Sequence, residues 1–176
     1  MTVIDGLLEA GAIDLLDAHF ARAIGRLAGT DDPAVLAAAA LANRAPAHGH
    51  VCARLSEIVA VLERELGLDV DDGLEERVAL PELPDPVDWI AAVAGAKEAV
   101  RAADEDRATP LVLDDGAVYL DRYWRYEDQF TRAVLARVAN PITGLDEDKL
   151  QAGLNVLFED ERTKLQRLAA ETALRN

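Results

Sequence analysis

This chain of 176 residues contains few cysteine, serine, lysine and aromatic side chains. It has one cysteine, one serine, three lysines and 5% aromatic residues. Because Cys52 is the single cysteine, no internal disulfide can form, which is typical of a reducing compartment. No apolar run approaches the ~18 residues of a membrane span, and the first residues lack the basic and apolar segments of a signal peptide. The sequence therefore predicts a cytoplasmic protein without membrane contact.

Motifs for nucleotide binding and nucleophilic catalysis are also missing. Neither G-x-x-x-x-G-K-[ST] nor G-x-G-x-x-G occurs, which excludes a P-loop and a dinucleotide-binding fingerprint. Ser56 is not part of a G-x-S-x-G motif and precedes a predicted helix, where its hydroxyl is expected to cap the first turn. We expect no catalytic residue in this chain and no cofactor bound by it.

The abundant residues are alanine and the acidic residues. Alanine fills 33 positions within a hydrophobic share of 51%, which favours closely packed helices around few large side chains. Acidic residues outnumber basic ones by 33 to 18, giving a formal charge of −15. Because such a surface repels phosphate groups, we expect weak or no DNA binding by the isolated chain.

Helical periodicity covers most of the chain, and local signals mark several helix boundaries. Gly29 follows an apolar stripe that ends at Leu27, while Asp32-Pro33 and Asp85-Pro86 each combine an N-cap with proline at the first helical position. The helix that begins at Asp85-Pro86 continues through Trp89, Val93 and Val100. Further helices are predicted from Ser56, from Asp146 and from Glu161 to Leu174, and a long one has Tyr126, Phe130, Val134 and Val138 on one face. The acidic stretch from Asp69 to Pro86 predicts a surface loop.

One β-hairpin interrupts the helical pattern. Apolar segments at 111–113 and 117–120 flank Asp114-Asp115-Gly116, a sequence typical of a hairpin turn. The predicted fold is therefore mainly α, a helical bundle of about seven helices with one small β-hairpin. Its predicted parts are a helical N-terminal domain (residues 1–108), the hairpin plus a long helix (109–140) and a helical connector (141–176).

One candidate metal site consists of His48, His50 and Cys52. In an extended strand these three side chains point to the same side, and imidazole and thiolate are ligands that zinc accepts. The neighbouring sequence supplies no fourth ligand. The alternative is a buried cysteine beside a turn whose histidines cap or face water, and we expect no bound metal.

Five of the chain's eight aromatic residues lie between positions 119 and 130. The densest part contains Tyr119, Arg122, Tyr123, Trp124, Arg125 and Tyr126. Aromatic rings interleaved with arginine can stack on bases and contact phosphates, as in a single-strand nucleic-acid-binding module. Alternatively, the rings pack the hairpin onto the following helix, because an isolated two-stranded hairpin is marginally stable. The acidic net charge disfavours contact with a nucleic acid and so favours the packing interpretation.

Three stretches of the sequence form one pattern: Gly49-His50-Val51-Cys52, Pro110-Leu111-Val112-Leu113-Asp114-Asp115-Gly116 and Tyr119-Leu120-Asp121-Arg122-Tyr123-Trp124-Arg125-Tyr126-Glu127. In this order and spacing they resemble the N-terminal domain of RecD. RecD is the alpha subunit of bacterial exonuclease V, the RecBCD helicase–nuclease that processes double-strand DNA ends. The resemblance implies a docking module that attaches the RecD motor to RecC, in a complex with RecB. Without its partner such a domain could self-associate.

The stretch Leu165-Gln166-Arg167-Leu168-Ala169-Ala170 resembles the helix that precedes the Walker A strand in RecD-type helicases. In that family the glutamine matched by Gln166 contacts the adenine of ATP, since an amide can both donate and accept. The chain departs from the family pattern at Asn176, where a strand and a glycine-rich loop would begin. The resemblance therefore implies ATP, Mg and helicase activity for the longer parent protein and not for this piece.

Overall fold

The fold is mainly helical, as predicted, with four short strands. This computed structural model describes residues 2–68, 78–140, 142, 144–158 and 160–175, so residues 69–77 of the predicted surface loop lie outside the described residues. The helices are α1 (Val3–Glu9), α2 (Leu15–Ala28), α3 (Pro33–Arg44), α4 (Ile58–Glu65), α5 (Pro86–Gly95), α6 (Asp121–Ala139), α7 (Glu147–Leu157) and α8 (Lys164–Arg175). The strands are β1 (Cys52–Arg54), β2 (Val100–Ala102), β3 (Leu111–Asp114) and β4 (Ala117–Leu120). The described residues thus form eight α-helices where about seven helices were expected.

Capping residues set most helix boundaries where the sequence indicated them. The Asp32 carboxylate accepts a hydrogen bond from the Ala34 N–H at 2.8 Å at the start of α3. Gly29 ends α2 with a φ of 65°, in the left-handed region that favours glycine. The predicted Ser56 cap is wrong, because α4 follows Glu57 and no side chain caps its first turn. A tight turn after β1 places Ser56 before the N-cap position.

The hairpin belongs to a four-stranded mixed sheet, which corrects the prediction of a hairpin alone. β3 and β4 pair antiparallel, and the strand order is β1-β4-β3-β2. The helical prediction for Val100 is wrong, because α5 ends at Gly95 and Val100 pairs with Leu111 in a parallel register. β1 and β2 are three residues long, too short for an alternating pattern to be visible in the sequence.

The chain divides into two compact units, an N-terminal unit (Met1–Arg125) and a C-terminal unit (Tyr126–Asn176). In the N-terminal unit α3 is buried along most of its length, and its alanines allow neighbouring helices to approach closely. Trp89 of α5 is fully buried, and its Nε1 donates to the Ala34 carbonyl at 2.7 Å. The division into residues 1–108, 109–140 and 141–176 stays a prediction.

In the C-terminal unit polar contacts join α7 and α8, and one leucine of α7 is buried. Leu154 is buried, and Arg175 donates to both oxygens of Glu147 at 2.7 and 2.8 Å. Arg167 donates to Gln151 at 2.9 Å. None of the described helices, these two included, is long and apolar enough to cross a membrane.

Candidate functional site

Arg101, on strand β2, lies at the centre of the contacts made by the aromatic and arginine cluster. Its guanidinium is 4.6 Å from the centroid of the Trp124 ring, and its Nη2 donates to Asp121 Oδ1 at 2.9 Å. Arg125 donates to the other oxygen of Asp121 at 2.6 Å. Since Asp121 and Trp124 lie in the first turn of α6, these contacts tie the start of that helix to the sheet.

Backbone groups enclose the same side chain. Arg101 is only 3% exposed, and its Nη1 donates to the carbonyls of Ala102, Ala103 and Glu105 at 3.2, 3.3 and 3.1 Å. Its Nε is buried and has no hydrogen-bond partner among the described residues. Because burying a charge is costly unless it is paired, the carboxylate, the carbonyls and the indole ring together keep this cation inside the fold.

The ionisation of Asp121 depends on its two arginine neighbours. Partial burial acts to raise the pKa of Asp121, but hydrogen bonds from Arg125 and Arg101 outweigh it and hold that pKa below its ordinary value. The carboxylate is therefore charged at neutral pH. The stability that it contributes is present there and is lost as the pH falls through the lowered pKa of the folded state.

The rings of the cluster differ in exposure. Tyr119 is buried in a small apolar cluster of the sheet, and the half-buried Trp124 packs against that cluster. Arg122 lies 4.7 Å from the ring centroid of its neighbour Tyr123, while the Tyr126 side chain is 64% exposed. A row of exposed rings is needed to stack successive bases, and this cluster does not form one.

His48 and His50 converge on Glu65. His48 Nδ1 lies 3.4 Å from Glu65 Oε2, and His50 Nε2 lies 3.7 Å from Oε1. The extended geometry considered for His48, His50 and Cys52 is not adopted, because His48 ends a 3-10 turn and β1 begins only at Cys52. Within the described ranges, no group of three or more His, Cys, Asp or Glu side chains is arranged to hold a metal ion.

A buried arginine neutralises this carboxylate. Arg44 donates to Glu65 and contacts His48 Nδ1 at 3.2 Å. Burial acts to raise the pKa of Glu65, but the hydrogen bond and charge of Arg44, with smaller effects of His48 and His50, hold that pKa below its ordinary value. The permanently charged guanidinium of Arg44 thus occupies lone pairs of the Glu65 carboxylate that a metal would need. We therefore interpret Arg44 and Glu65 as a structural ion pair.

Most of the N-terminal unit matches a known family. The protein-family model described as "RecBCD enzyme subunit RecD, N-terminal domain" matches residues 9–119. The chain belongs to the RecD N-terminal domain family. RecBCD enzyme subunit RecD of Mycobacterium tuberculosis strain ATCC 25618 / H37Rv is 38% identical over 136 residues, which is 73% of this chain and 19% of that protein. The same subunit of strain CDC 1551 / Oshkosh gives the same values, and that of Mycolicibacterium smegmatis is 34% identical over 144 residues, 76% of this chain and 21% of that protein.

The predicted resemblance to RecD is thereby confirmed, and the matched range can be placed on the fold. It contains Arg101 and Tyr119 but ends before Asp121 and Trp124. Gln166 also lies outside the matched range, on an exposed position of α8. The chain spans about a fifth of the length of the RecD proteins that it matches.

Sequence patterns missed the two arginines on which these contacts depend. Arg101 lies in a three-residue strand, and Arg44 lies at the end of an alanine-rich helix. The signal that could have indicated Arg101 is the position of Asp121 directly after β4. An acidic residue in the first turn of a helix is stabilised by the helix dipole, and its carboxylate also attracts cationic side chains. Its partner, 20 residues earlier, could not be read from the sequence.

The structure predicts different roles for two rings of the cluster. Changing Trp124 to alanine should lower the free energy of unfolding by about 2–3 kcal/mol, because a half-buried ring and its contact with Arg101 are lost. Changing Tyr126 to alanine should cost less than about 1 kcal/mol, since that side chain is mostly exposed. Urea unfolding of both variants, beside titrations with a fluorescent single-stranded oligonucleotide, measures the difference. Unchanged unfolding with weakened oligonucleotide binding in Trp124→Ala would instead support the nucleic-acid interpretation.

Proposed function

We propose that this chain is a non-catalytic docking domain that attaches a RecD subunit to RecC within a cytoplasmic RecBCD complex for double-strand break repair. Membership in the RecD N-terminal domain family is the observation that carries this proposal. The matched relatives are each named a subunit of the RecBCD enzyme, so a domain of this family would work inside a complex with RecB and RecC.

The packing of the aromatic cluster supports docking over nucleic-acid binding. Tyr119 and Trp124 are engaged within the fold, and Arg101 and Arg125 share the carboxylate of Asp121. These groups are therefore already used for packing and ion pairing. The net charge of −15 further disfavours contact with a polyanion.

ATP chemistry would belong to a longer RecD polypeptide. In such a protein we propose that Gln166 contacts adenine, because it is exposed on α8 and its amide can donate and accept. The phosphates and Mg would be held by a P-loop, which this sequence does not contain. We accordingly propose that the chain has no helicase or nuclease activity of its own.

An exposed apolar stripe on α2 is the proposed docking surface. Leu16, Phe20, Ala23 and Leu27 follow the i, i+4, i+7, i+11 spacing of one helix face. Leu16 is 70% exposed and Leu27 is also exposed, while Phe20 is half-buried against the core. The opposite face of α2 is buried in the core. The stripe lies inside residues 9–119, the range that matches the family, and exposed apolar patches mark protein–protein contact sites.

A charge placed on this stripe should weaken RecC binding. The Leu16→Asp variant is expected to bind RecC of the same species about 30-fold more weakly or worse, because docking would bury an unpaired carboxylate. Isothermal titration or surface plasmon resonance with purified RecC provides the measurement. The fold should be retained, since an acidic residue in the first turn of a helix is favourable.

Val87→Asp is the matched control for this variant. Val87 and Leu16 both occupy the second helical position after an aspartate N-cap, and Val87 is 76% exposed. Binding that is reduced by Leu16→Asp and unchanged by Val87→Asp supports the stripe. Equal RecC affinity in both variants would place the docking surface elsewhere, whereas no RecC binding together with tight oligonucleotide binding would favour the nucleic-acid alternative.

A further inference from the structure

Strand β2 lies at one edge of the described sheet, with β3 as its single neighbour. The Leu111 N–H donates to the Ala99 carbonyl at 3.1 Å, and Leu111 pairs in register with Val100. In a parallel ladder this geometry turns the backbone groups of Val100 and Ala102 away from β3. These outward groups are the ones on which another strand could pair.

Hydrogen bonds from within the chain cover all four outward groups. The Val100 N–H donates to the Ala96 carbonyl at 2.9 Å, and the Val100 carbonyl accepts from Arg107 Nη2 at 2.9 Å. The Ala102 N–H donates to Glu105 Oε2 at 3.3 Å, and the Ala102 carbonyl accepts from the Glu105 N–H at 3.2 Å. Arg101 donates to that carbonyl as well.

Side chains of the segment that follows β2 cover two of these four groups: Glu105 covers the Ala102 N–H and Arg107 covers the Val100 carbonyl. The two side chains also hold each other in place. Arg107 Nη2 donates to Glu105 Oε2 at 3.1 Å, and Arg107 also donates to the Lys97 carbonyl. The hydrogen bond from Arg107 lowers the pKa of Glu105, with a further contribution from the Ala102 N–H. The acceptor is therefore ionised at neutral pH and can hold the strand's N–H group.

We propose that the Glu105 and Arg107 side chains close the β2 edge of this domain at the Ala102 N–H and the Val100 carbonyl. Without these side chains, the two freed groups form a strand-addition surface for a second copy of the chain. A second copy fits because two identical edges can pair antiparallel about a two-fold axis, where the Ala102 N–H of each strand can donate to the Val100 carbonyl of the other. Covering an edge is a known way in which proteins prevent such pairing. This proposal is independent of RecC docking on α2.

The double variant Glu105→Ala/Arg107→Ala tests both parts of the proposal. It removes one charge of each sign, so the net charge is unchanged. The Ala102 amide should exchange its hydrogen at least about tenfold faster, because its acceptor is lost. The Leu111 amide should keep its protection, since it donates within the sheet. Sedimentation at about 0.5 M salt, where charge repulsion is screened, should show a mass that rises with protein concentration up to about 1 mM.

Asp128→Ala/Arg132→Ala is the matched control. This pair is 2.9 Å apart on α6, in the C-terminal unit, and its loss should change neither readout. An unchanged rate of hydrogen exchange at the Ala102 amide of the Glu105→Ala/Arg107→Ala variant would contradict the proposed closure of the β2 edge. Faster exchange in a variant that sediments as a monomer at all concentrations would overturn the strand-addition surface.

A pair of single variants keeps the test valid if the double variant does not fold. Glu105→Gln retains an oxygen that can accept from the Ala102 N–H, while Glu105→Leu removes the acceptor at similar size. We expect normal exchange at Ala102 in the first and exchange at least about tenfold faster in the second. The same rate in both variants would contradict the closure.

Discussion

Replacing Arg101 with methionine is expected to lower the free energy of unfolding by about 3 kcal/mol or more. Methionine keeps much of the apolar stem but cannot donate to Asp121 or to the carbonyls of the segment after β2. It also removes the cation from the face of the Trp124 ring. Urea unfolding followed by circular dichroism gives the difference from the unmodified protein.

The pH dependence of this difference follows from Asp121. Because the pKa of Asp121 is lowered in the folded state, its ion pair stabilises the protein at neutral pH and loses that effect as the pH falls through the lowered pKa. The stability gap between Arg101→Met and the unmodified protein should therefore narrow in acid. A gap that stays constant with pH would show that the ion pair with Asp121 contributes little to the loss.

Arg132→Met is the control for the Arg101 variant. Arg132 also donates to an aspartate at 2.9 Å, but its side chain is 75% exposed. Such a surface pair is worth about 0.5 kcal/mol, so this variant should unfold almost as the unmodified protein does. Equal losses in the two variants would contradict a special role for the buried arginine.

Replacing Trp89 with alanine is expected to cost about 3–5 kcal/mol, the range for large aromatic residues in cores. The ring is fully buried in the N-terminal unit, and its Nε1 donates to a carbonyl of α3 at 2.7 Å. The variant would therefore leave a cavity between α5 and α3 and remove one hydrogen bond. Thermal and urea unfolding measure the loss.

Trp89→Phe separates these two contributions. Phenylalanine fills most of the cavity but has no donor for the Ala34 carbonyl, so the expected cost falls to about 1–2 kcal/mol. A phenylalanine variant as unstable as the alanine variant would mean that the hydrogen bond dominates. An alanine variant with unchanged stability would contradict the placement of Trp89 in the core.

The sequence identified the candidate cluster but not its central residue. Tyr119 and Trp124 were found because aromatic residues are rare in this chain and concentrated after the hairpin. Arg101 was missed because its partner Asp121 is 20 residues away and its strand is three residues long. The convergence of His48 and His50 on Glu65 was missed for the same reason, since α4 brings the carboxylate back to them.

Local signals in the sequence determined the helical class, several helix boundaries, the hairpin and the family. Asp32 caps α3, and the turn at Asp115 and Gly116 adopts the positive φ values of 45° and 72° that its Asp-Gly sequence favours. Such preferences depend on a few adjacent residues and are therefore readable without the fold. Only the tertiary structure decided the pairing of β1 and β2 and the burial of Arg101, because these depend on contacts between residues far apart in the chain, whose energies outweigh local propensity.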